Sequence, residues 1–286
     1  MSRNETASIL AGVGARARDA ATALRVATTG QKNAALNAAA DAVAAHKDEI
    51  LAANARDVEA AKANGVSGAM LDRLKIDGAR FEGVVQAIRD VAALPDPVGE
   101  VIESWERLNG LNISRVRTPI GVIAMIYESR PNVTTDAASI CVKSGNAVIL
   151  RGGSEAFETS SALHRCFVEG LAKAGLPADA VQFVQTTDRA AVGEILAGLD
   201  GAIDLIIPRG GKTLVARVQR EARAPVLGHL EGVCHVYVDG GADLEKAVKI
   251  IVNAKMRRTG VCGSAETVLI DRKALISHWP AISKAL

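Results

Sequence analysis

Hydrophobic residues recur at helical spacing through the first third of the chain. From Glu5 to about Leu94 apolar side chains repeat at three- and four-residue intervals, as in "NAALNAAADAVAAHKDEILAANARDVEAAKANG". This spacing predicts amphipathic helices, and Gly65 is a natural stop for a helix that begins near Asn54. The first third is therefore predicted to form a helical layer.

The pattern changes in "LPDPVGEVIESWERLNGLNISRVRTPIG", where two prolines end the helical spacing. Apolar and polar residues then alternate on either side of Asn109-Gly110, a dipeptide that is typical of tight hairpin turns. We predict a projecting β-hairpin over residues 99–118. Because such a hairpin commonly pairs with a partner strand, we expect the chain to form a dimer or a dimer of dimers.

Short apolar runs alternate with helical patterns from Ile120 onward. Strands are predicted at "IGVIAMI", "AVIL", "VQFV" and "IDLII", the last three at residues 147–150, 181–184 and 203–207. Helices are predicted near residues 133–143 and 154–174, near Ala190 and after Gly211. Repeated β-α-β units imply parallel strands joined by right-handed crossovers.

Two glycine-rich turns lie where a predicted strand ends and a helix begins. One contains Arg151, Gly152, Gly153 and Ser154, and the other contains Gly210 and Gly211. Ligands of parallel sheets bind at this edge, and glycines let backbone N–H groups approach a phosphate at a helix N-terminus. Neither turn is a GxGxxG motif, so plain turn chemistry is the alternative. Two such turns, each with a basic neighbour, favour nucleotide binding.

Composition narrows the possible functions. A chain of 286 residues with 49% hydrophobic residues is long enough for one large or two linked α/β domains. Its net charge of +2, without a basic stripe, gives no support for binding nucleic acid or a membrane surface. No stretch has the length and apolarity of a membrane span or an export signal. We expect a cytoplasmic protein.

Four cysteines are scattered along the chain without a CxxC pair, at Cys141, Cys166, Cys234 and Cys262. Their spacing argues against a zinc site and a disulfide framework, so we expect four free thiols and no metal. The first three lie in apolar helical or strand patterns. They are therefore predicted to be core residues.

Cys262 differs because it lies in a small-residue turn, "AKMRRTGVCGSAETVLI". Basic residues precede it and glycines flank it, namely Lys255, Arg257, Arg258, Gly260 and Gly263. The basic side chains would stabilise a thiolate if they fold back toward the sulfur, and the glycines leave space around it. Cys262 is thus a candidate nucleophile, with a buried structural cysteine as the alternative.

Several long motifs follow one another: "TPIGVIAMIYESRPNVTTDAASICVKSGNAVILRGGSEA", "DLIIPRGGK", "GVCHVYVD" and "VNAKMRRTGVCGSAETVLI". Together they resemble the gamma-glutamyl phosphate reductases of the aldehyde dehydrogenase superfamily. The resemblance implies an α/β, aldehyde dehydrogenase-like fold. Its parts are a parallel-sheet Rossmann-type NADP-binding domain with an N-terminal helical layer (1–98 and 119–228), an oligomerisation hairpin (99–118) and a partial second α/β catalytic domain (229–286).

The resemblance also implies a reaction and the residues that perform it. The reaction is NADPH-dependent reduction of L-glutamyl 5-phosphate to L-glutamate 5-semialdehyde with release of phosphate, the second step of proline biosynthesis. Cys262 is the implied nucleophile, which forms a thioester, and Asn132 is the implied oxyanion donor. Capping of the following helix is the alternative for Asn132. The implied partners are further copies of the chain and glutamate 5-kinase.

Arginine side chains suit the anionic ends of that substrate. Arg130, Arg257 and Arg258 are the candidates, with a plain surface position as the alternative for each. Relatives that hydrolyse a thioester use a glutamate base, and the corresponding Glu231 is displaced from the usual position. His229 and Glu231 are alternative proton donors to the product.

The same resemblance favours NADP(H) over NAD. NAD-preferring relatives have a carboxylate after the strand that ends in the first glycine turn, where it bonds the adenine ribose. The matching position here is Ser154, beside Arg151, and a hydroxyl next to a positive charge suits an additional phosphate. A slip of one residue in the alignment would put Glu155 there and weaken the preference.

Two other functions stay open from the sequence. One is an NAD-dependent aldehyde dehydrogenase, which needs a well-placed glutamate base. The other is a non-catalytic fragment that binds nucleotide or partner subunits, since family members continue well beyond the cysteine motif. This chain stops at "HWPAISKAL", so we expect a shortened form.

Overall fold

The computed structural model describes residues 3–66, 68–228, 232–259 and 261–286, with only the backbone described for residues 3–8 and 69. The chain divides into two compact units, Met1–Gly228 and His229–Leu286. Each unit has its own hydrophobic core. Within the described ranges, no helix has the length and apolarity needed to cross a membrane.

Helices fill the first third of the first unit, as the hydrophobic spacing predicts. They are α1 (Arg3–Leu24), α2 (Thr29–Ala45), α3 (Lys47–Ala63), α4 (Gly68–Leu74) and α5 (Gly78–Ala93). The predicted helix start near Asn54 is wrong, because Asn54 lies inside α3. Its buried side chain donates to the Leu74 carbonyl (2.9 Å) and accepts from the Ile76 N–H (2.8 Å). A polar residue on the buried face interrupts the apolar pattern and so resembles a helix start.

An antiparallel hairpin follows, with β1 at Val101–Glu106 and β2 at Asn112–Val116. Trp105 pairs with Ile113 across the strands. Gly110 lies in the connecting turn with a φ of +85°, a conformation that glycine adopts without steric penalty. The hairpin therefore forms at the turn that the sequence predicts, and most of its strand residues are exposed. Its role in oligomerisation stays a prediction.

A parallel four-stranded sheet forms the centre of the first unit, in the order β5-β4-β3-β6. Its elements are β3 (Val122–Tyr127), α6 (Val133–Lys143), β4 (Ala147–Arg151), α7 (Phe157–Lys173), β5 (Val181–Phe183), α8 (Ala190–Leu196), β6 (Leu205–Arg209) and α9 (Lys212–Glu221). Nearly every residue of β3 and β4 is buried, as expected for strands covered on both faces. The predicted fold class, α/β with an aldehyde dehydrogenase-like parallel sheet, is confirmed.

Close packing of α7 against α2 depends on a glycine. A Cβ placed at Gly170 would lie 2.7 Å from the Ala39 Cβ and still closer to the Ala39 backbone. Real Cβ atoms do not approach so closely, so any side chain at this position forces the two helices apart. Gly170 thus sets the distance between the helical layer and a helix that covers the sheet.

We expect Gly170→Ala to lower the free energy of unfolding by about 1–3 kcal/mol, because the added methyl group overpacks the contact. Urea denaturation followed by circular dichroism measures this change. Gly83→Ala is the matched control, since nothing lies within 4 Å of the Cβ position at Gly83 in α5. That control is expected to gain up to about 1 kcal/mol from helix propensity. Equal stability of the two variants would contradict the packing argument.

The second unit contains β7 (Cys234–Val238), α10 (Leu244–Met256), β8 (Ala265–Ile270) and α11 (Leu275–Ala285). β7 and β8 pair in parallel, with Val236 opposite Val268. Ile251 of α10 and Ile282 of α11 are fully buried and pack with the inward residues of the strands. A β-α-β arrangement therefore carries the loop that contains Cys262.

Candidate active site

Three loops of the first unit meet at the carboxyl ends of parallel strands. β3 leads into the segment with Arg130 and Asn132, β4 leads into the first glycine turn, and β6 leads into the second. Because the strands are neighbours in the order β4-β3-β6, their ends lie side by side. The structure therefore brings both glycine turns and the candidate oxyanion donor to one edge of one sheet, where such folds bind ligands.

A carboxylate links the first glycine turn to the loop after β3. Glu155 Oε1 accepts hydrogen bonds from the Ser129 N–H (2.6 Å) and the Ser129 hydroxyl (2.8 Å). Ser129 is buried and has a φ of +46°, which is uncommon for a residue with a side chain. A Cβ at Gly153 would lie 2.6 Å from Glu155 Cδ, so glycine makes room for the carboxylate. Glu155 is engaged with the loop, whereas Ser154 is exposed.

The Arg151 side chain is directed inward and is 7% exposed. Its guanidinium donates to the carbonyls of Gly152 and Thr187, the latter at 3.1 Å. Burial lowers the pKa of this guanidinium, and the nearby charge of Arg189 acts in the same direction. Through its hydrogen bond to the Thr187 carbonyl, Arg151 holds the loop after β5 in place. Its predicted contact with a cofactor stays a prediction.

A second carboxylate lies at the N-terminus of α9. Glu128, the first residue after β3, accepts a hydrogen bond from the Gly211 N–H at 2.9 Å. Gly211 is the N-cap residue of α9 and has no side chain that could cap the helix. The Glu128 carboxylate therefore occupies the position at the helix N-terminus where an anion would bind. A Cβ at Gly210 would lie 2.7 Å from Leu214 Cδ2 and would also crowd Glu128. The second turn is thus shaped to place an anion against backbone N–H groups.

Asn132 occupies the N-cap position of α6 but makes no side-chain capping hydrogen bond. The first N–H groups of the helix instead donate to backbone carbonyls, with Val133 donating to Arg130 (3.0 Å). The Asn132 amide donates through Nδ2 to Asp136 Oδ2 at 2.8 Å. Burial raises the pKa of Asp136, and this hydrogen bond opposes the rise. Capping, the alternative for the Asn132 side chain, is therefore wrong.

Cys262 lies in the second unit, in the loop between α10 and β8, and is exposed. Two hydrogen bonds hold this loop in place. The Cys234 thiol donates to the Cys262 carbonyl (3.5 Å), and the Ser264 hydroxyl donates to the Lys255 carbonyl (3.2 Å). Nothing lies within 4 Å of the Cβ position at Gly263, so space is available next to the cysteine. The buried-cysteine alternative for Cys262 is wrong.

The other three cysteines differ in their accessibility. Cys141 and Cys166 are buried, and burial raises the pKa of their thiols to about 12 and about 11. Their predicted place in the core is confirmed. Cys234 is half-buried, so the prediction that it is a core residue is wrong. The reason is its position at the start of β7, where its sulfur contacts the Cys262 loop.

The arginines in the loops of Asn132 and Cys262 differ in burial. Arg130 is half-buried in the loop that contains Asn132, whereas Arg257 and Arg258 are exposed just after α10. Across the ranges that the structure covers, the side chains of Arg257 and Arg258 make no hydrogen bond or ion pair, and the Arg258 carbonyl accepts from the Val261 N–H (3.4 Å). The predicted substrate contacts of all three arginines stay predictions. His229, Glu231 and Gly260 lie outside the described residues.

Three acidic residues at these loops make hydrogen bonds that the sequence did not predict. Asp136 follows Asn132 by four residues, which places both side chains on one face of α6, so helical spacing could have identified it. Glu128 and Glu155 bond backbone N–H groups of loops that are distant in sequence. No local pattern indicates such contacts. In the described ranges, no group of three or more His, Cys, Asp or Glu side chains could hold a metal ion.

Comparison with known sequences shows which proteins this chain resembles. The model of the aldehyde dehydrogenase family matches residues 5–278. The chain is 64% identical over 277 residues to a gamma-glutamyl phosphate reductase of Caulobacter vibrioides, covering 97% of this chain and 67% of that protein. It is 60% identical over 275 residues to one of Brucella anthropi, covering 96% and 64%. The chain therefore spans about two thirds of the length of these relatives.

Solved structures show the same likeness. A crystal structure of gamma-glutamyl phosphate reductase from Thermotoga maritima matches with a TM-score of 0.88 and 42% identity, covering 96% of this chain and 66% of that one. One from Saccharomyces cerevisiae matches with a TM-score of 0.71 and 34% identity, covering 96% and 68%. Both likenesses extend over nearly the whole of the chain.

Proposed function

Because this chain belongs to the aldehyde dehydrogenase family, we propose that it reduces L-glutamyl 5-phosphate to L-glutamate 5-semialdehyde with release of phosphate, using NADPH. The observation that carries the proposal is the exposure of Cys262, which alone among the four cysteines is open to a substrate. The name shared by the similar proteins supports the choice of an acyl phosphate as substrate.

Cys262 supplies the nucleophile in this proposal. Its thiolate attacks the acyl carbon, the bond from that carbon to the phosphate oxygen breaks, and a thioester forms with release of phosphate. Hydride addition to the thioester carbon is followed by cleavage of the carbon–sulfur bond, which frees the aldehyde and regenerates the thiolate. An exposed sulfur next to Gly263 leaves room for the tetrahedral carbon that precedes each cleavage.

Asn132 supplies the oxyanion donor. Each addition to the acyl carbon places negative charge on the substrate oxygen, and a fixed amide N–H stabilises that charge. The hydrogen bond to Asp136 uses one proton of Asn132 Nδ2 and leaves the second for the substrate. Because that bond also fixes the rotation of the amide, Asp136 is a positioning residue. A donor that is already oriented needs little reorganisation in the transition state.

The glycine turns are suited to a dinucleotide. NADPH, when bound, supplies the hydride for the reduction. The Gly211 N–H already binds a carboxylate, so this helix N-terminus accepts an anion. The pyrophosphate is assigned to Gly210 and Gly211, and the adenine ribose is assigned to the turn with Gly152, Gly153 and Ser154. The absence of a free carboxylate in that turn supports NADP(H) over NAD, since Glu155 bonds Ser129.

Glu128 must leave the Gly211 N–H before a pyrophosphate can bind there. We expect Glu128→Gln to tighten binding of NADP+ and NAD+ alike by about 3- to 10-fold, because it removes a like charge from the phosphate site. Isothermal titration calorimetry measures both dissociation constants. Glu221→Gln, at the other end of α9, is the control and should leave them unchanged. Weaker or unaltered binding by Glu128→Gln would exclude this competition.

The anionic ends of the substrate are assigned to arginines. Arg130 lies in the loop that positions Asn132, and Arg257 and Arg258 lie in the loop that positions Cys262. Guanidinium groups bind phosphate and carboxylate through paired hydrogen bonds, so each of these arginines suits an anionic end of the substrate.

The hairpin is assigned to assembly with a second copy of the chain. Among the residues with a described structure, β1 and β2 pair only with each other, so each has an unpaired edge, and Val101, Ile102 and Val116 are exposed. Exposed apolar strand edges pair readily with another strand. Association with glutamate 5-kinase and a cytoplasmic location also follow from the proposed biosynthetic role.

The reverse reaction tests this function against its alternatives. Glutamate 5-semialdehyde, phosphate and NADP+ should yield NADPH continuously, and omission of phosphate should stop turnover once the thioester has formed. Phosphate-independent formation of NADH from NAD+ would instead indicate an ordinary aldehyde dehydrogenase. Dinucleotide binding without turnover would indicate a nucleotide-binding fragment, and an extended chain that includes the remaining third of the relatives' length would then be assayed.

A further inference from the structure

The loops after β4 and β5 lie next to each other. The two strands pair in parallel, with Leu150 opposite Phe183, so their carboxyl ends lie at the same edge of the sheet. The first loop exposes the Ser154 hydroxyl, and the second exposes the Arg189 side chain. This is the edge at which the ribose of a dinucleotide is assigned under the proposed function.

Arg151 holds the second loop in place. Its Nη2 donates to the carbonyls of Thr187 (3.1 Å) and Asp188 (3.5 Å). The Asp188 carbonyl belongs to the peptide bond that joins Asp188 to Arg189, so the backbone of Arg189 lies directly beside the Arg151 guanidinium. The Asp188 carboxylate accepts from the Ala190 N–H at 2.9 Å and fixes the same loop from the other side. Arg189 is therefore presented from a rigid backbone.

The guanidinium groups of Arg151 and Arg189 lie close enough to repel each other. The Arg189 side chain makes no hydrogen bond or ion pair with any residue that the structure describes, although its carbonyl accepts from the Val192 N–H (3.2 Å), and the buried Arg151 Nε has no partner among those residues either. Two carboxylates lie nearby, but each is bonded to a backbone N–H, Glu155 at Ser129 and Asp188 at Ala190. A phosphate next to Arg189 would relieve the repulsion between the arginines.

We infer that Arg189, with the Ser154 hydroxyl, binds the 2′-phosphate that distinguishes NADP from NAD, and that Arg151 is a positioning residue for Arg189. The inference rests on the proposed dinucleotide site. It assigns the preference for NADP(H) to a side chain on the β5–α8 loop, about 35 positions after the glycine turn. The contribution of Arg151 is indirect, because its guanidinium is directed to backbone carbonyls.

Calorimetric titration of the 286-residue chain with NADP+ and with NAD+ tests this inference. Arg189→Ala should weaken NADP+ binding by about 10- to 100-fold and change NAD+ binding by less than about 3-fold. Arg189→Lys should recover part of the loss, because it keeps the charge. Arg220→Ala, on the exposed far end of α9, is the matched control and should alter neither constant.

Two results would overturn the inference while leaving the proposed function intact. One is an unmodified chain that binds NADP+ and NAD+ equally well. The other is an Arg189→Ala variant that retains the preference or loses affinity for both dinucleotides to the same extent. An unmodified chain that binds neither dinucleotide would overturn the proposed nucleotide site, and this inference with it.

Discussion

Replacing Cys262 with serine is expected to lower the rate of phosphate-dependent semialdehyde oxidation by at least about 1,000-fold. A serine hydroxyl remains protonated at neutral pH and is a far weaker nucleophile than a thiolate. The side chains are similar in size and Cys262 is exposed, so the substitution should leave the fold unchanged. The initial rate of NADPH formation, measured at saturating semialdehyde, phosphate and NADP+, gives the result.

Cys234→Ser is the matched control for that variant. Cys234 lies close enough for its thiol to donate to the Cys262 carbonyl, and a serine hydroxyl can make the same hydrogen bond. We expect the control to keep its rate within about 3-fold, because no covalent step uses it. Equal losses in the two variants would mean that the loop geometry, and not the Cys262 sulfur, determines the rate.

Replacing Asn132 with alanine is expected to lower kcat by about 100- to 1,000-fold, the range found when one oxyanion donor is removed. The change should fall on kcat more than on KM, because the amide interacts most strongly with the charge that develops in the transition state. The side chain does not cap α6, so the helix keeps its backbone hydrogen bonds. Steady-state kinetics with semialdehyde as the varied substrate separates kcat from KM.

Asn64→Ala provides the comparison for an asparagine without a catalytic role, since Asn64 is exposed at the end of α3. A second comparison is Asp136→Leu, which removes the acceptor that orients the amide. Its kcat should fall between those of the unmodified chain and Asn132→Ala. If Asn132→Ala raised KM and left kcat unchanged, Asn132 would be a substrate-binding residue and not an oxyanion donor.

Periodicity alone located most of the fold. α6 has the predicted bounds, residues 133–143, because a clean amphipathic pattern is bounded by Asn132 on one side and by a turn with Gly145 on the other. β4 and β5 follow the predicted runs to within one residue. These strands are buried on both faces, so their sequences are nearly continuous hydrophobic runs that are easily recognised.

The sequence did not predict the directions of the side chains at the strand ends. Arg151 ends a buried strand and bends back to carbonyls of a loop that lies 36 residues further along the chain. Ser129 has a positive φ, and its N–H donates to Glu155, which is distant in sequence. Both contacts depend on the three-dimensional proximity of strand ends. The glycine turns could be located from the sequence, whereas the charged side chains that border them could not be assigned a direction.

The burial of Cys234 could not be predicted from its position in an apolar run. Cys234 was predicted to be a core residue because it begins an apolar run, but only Val238 of strand β7 is buried. A strand covered on one face alternates buried and exposed residues, and Cys234 begins the strand next to the Cys262 loop. Its contact with the Cys262 carbonyl could be identified only from the structure.

Mass spectrometry of the intact chain and its peptides detects the covalent intermediate that is expected on Cys262. Incubation with glutamate 5-semialdehyde and NADP+ in the absence of phosphate should leave a single glutamyl adduct on the peptide that contains Cys262. Addition of phosphate should discharge it. Turnover without any adduct, or an adduct confined to Cys141, Cys166 or Cys234, would show that Cys262 is not the nucleophile.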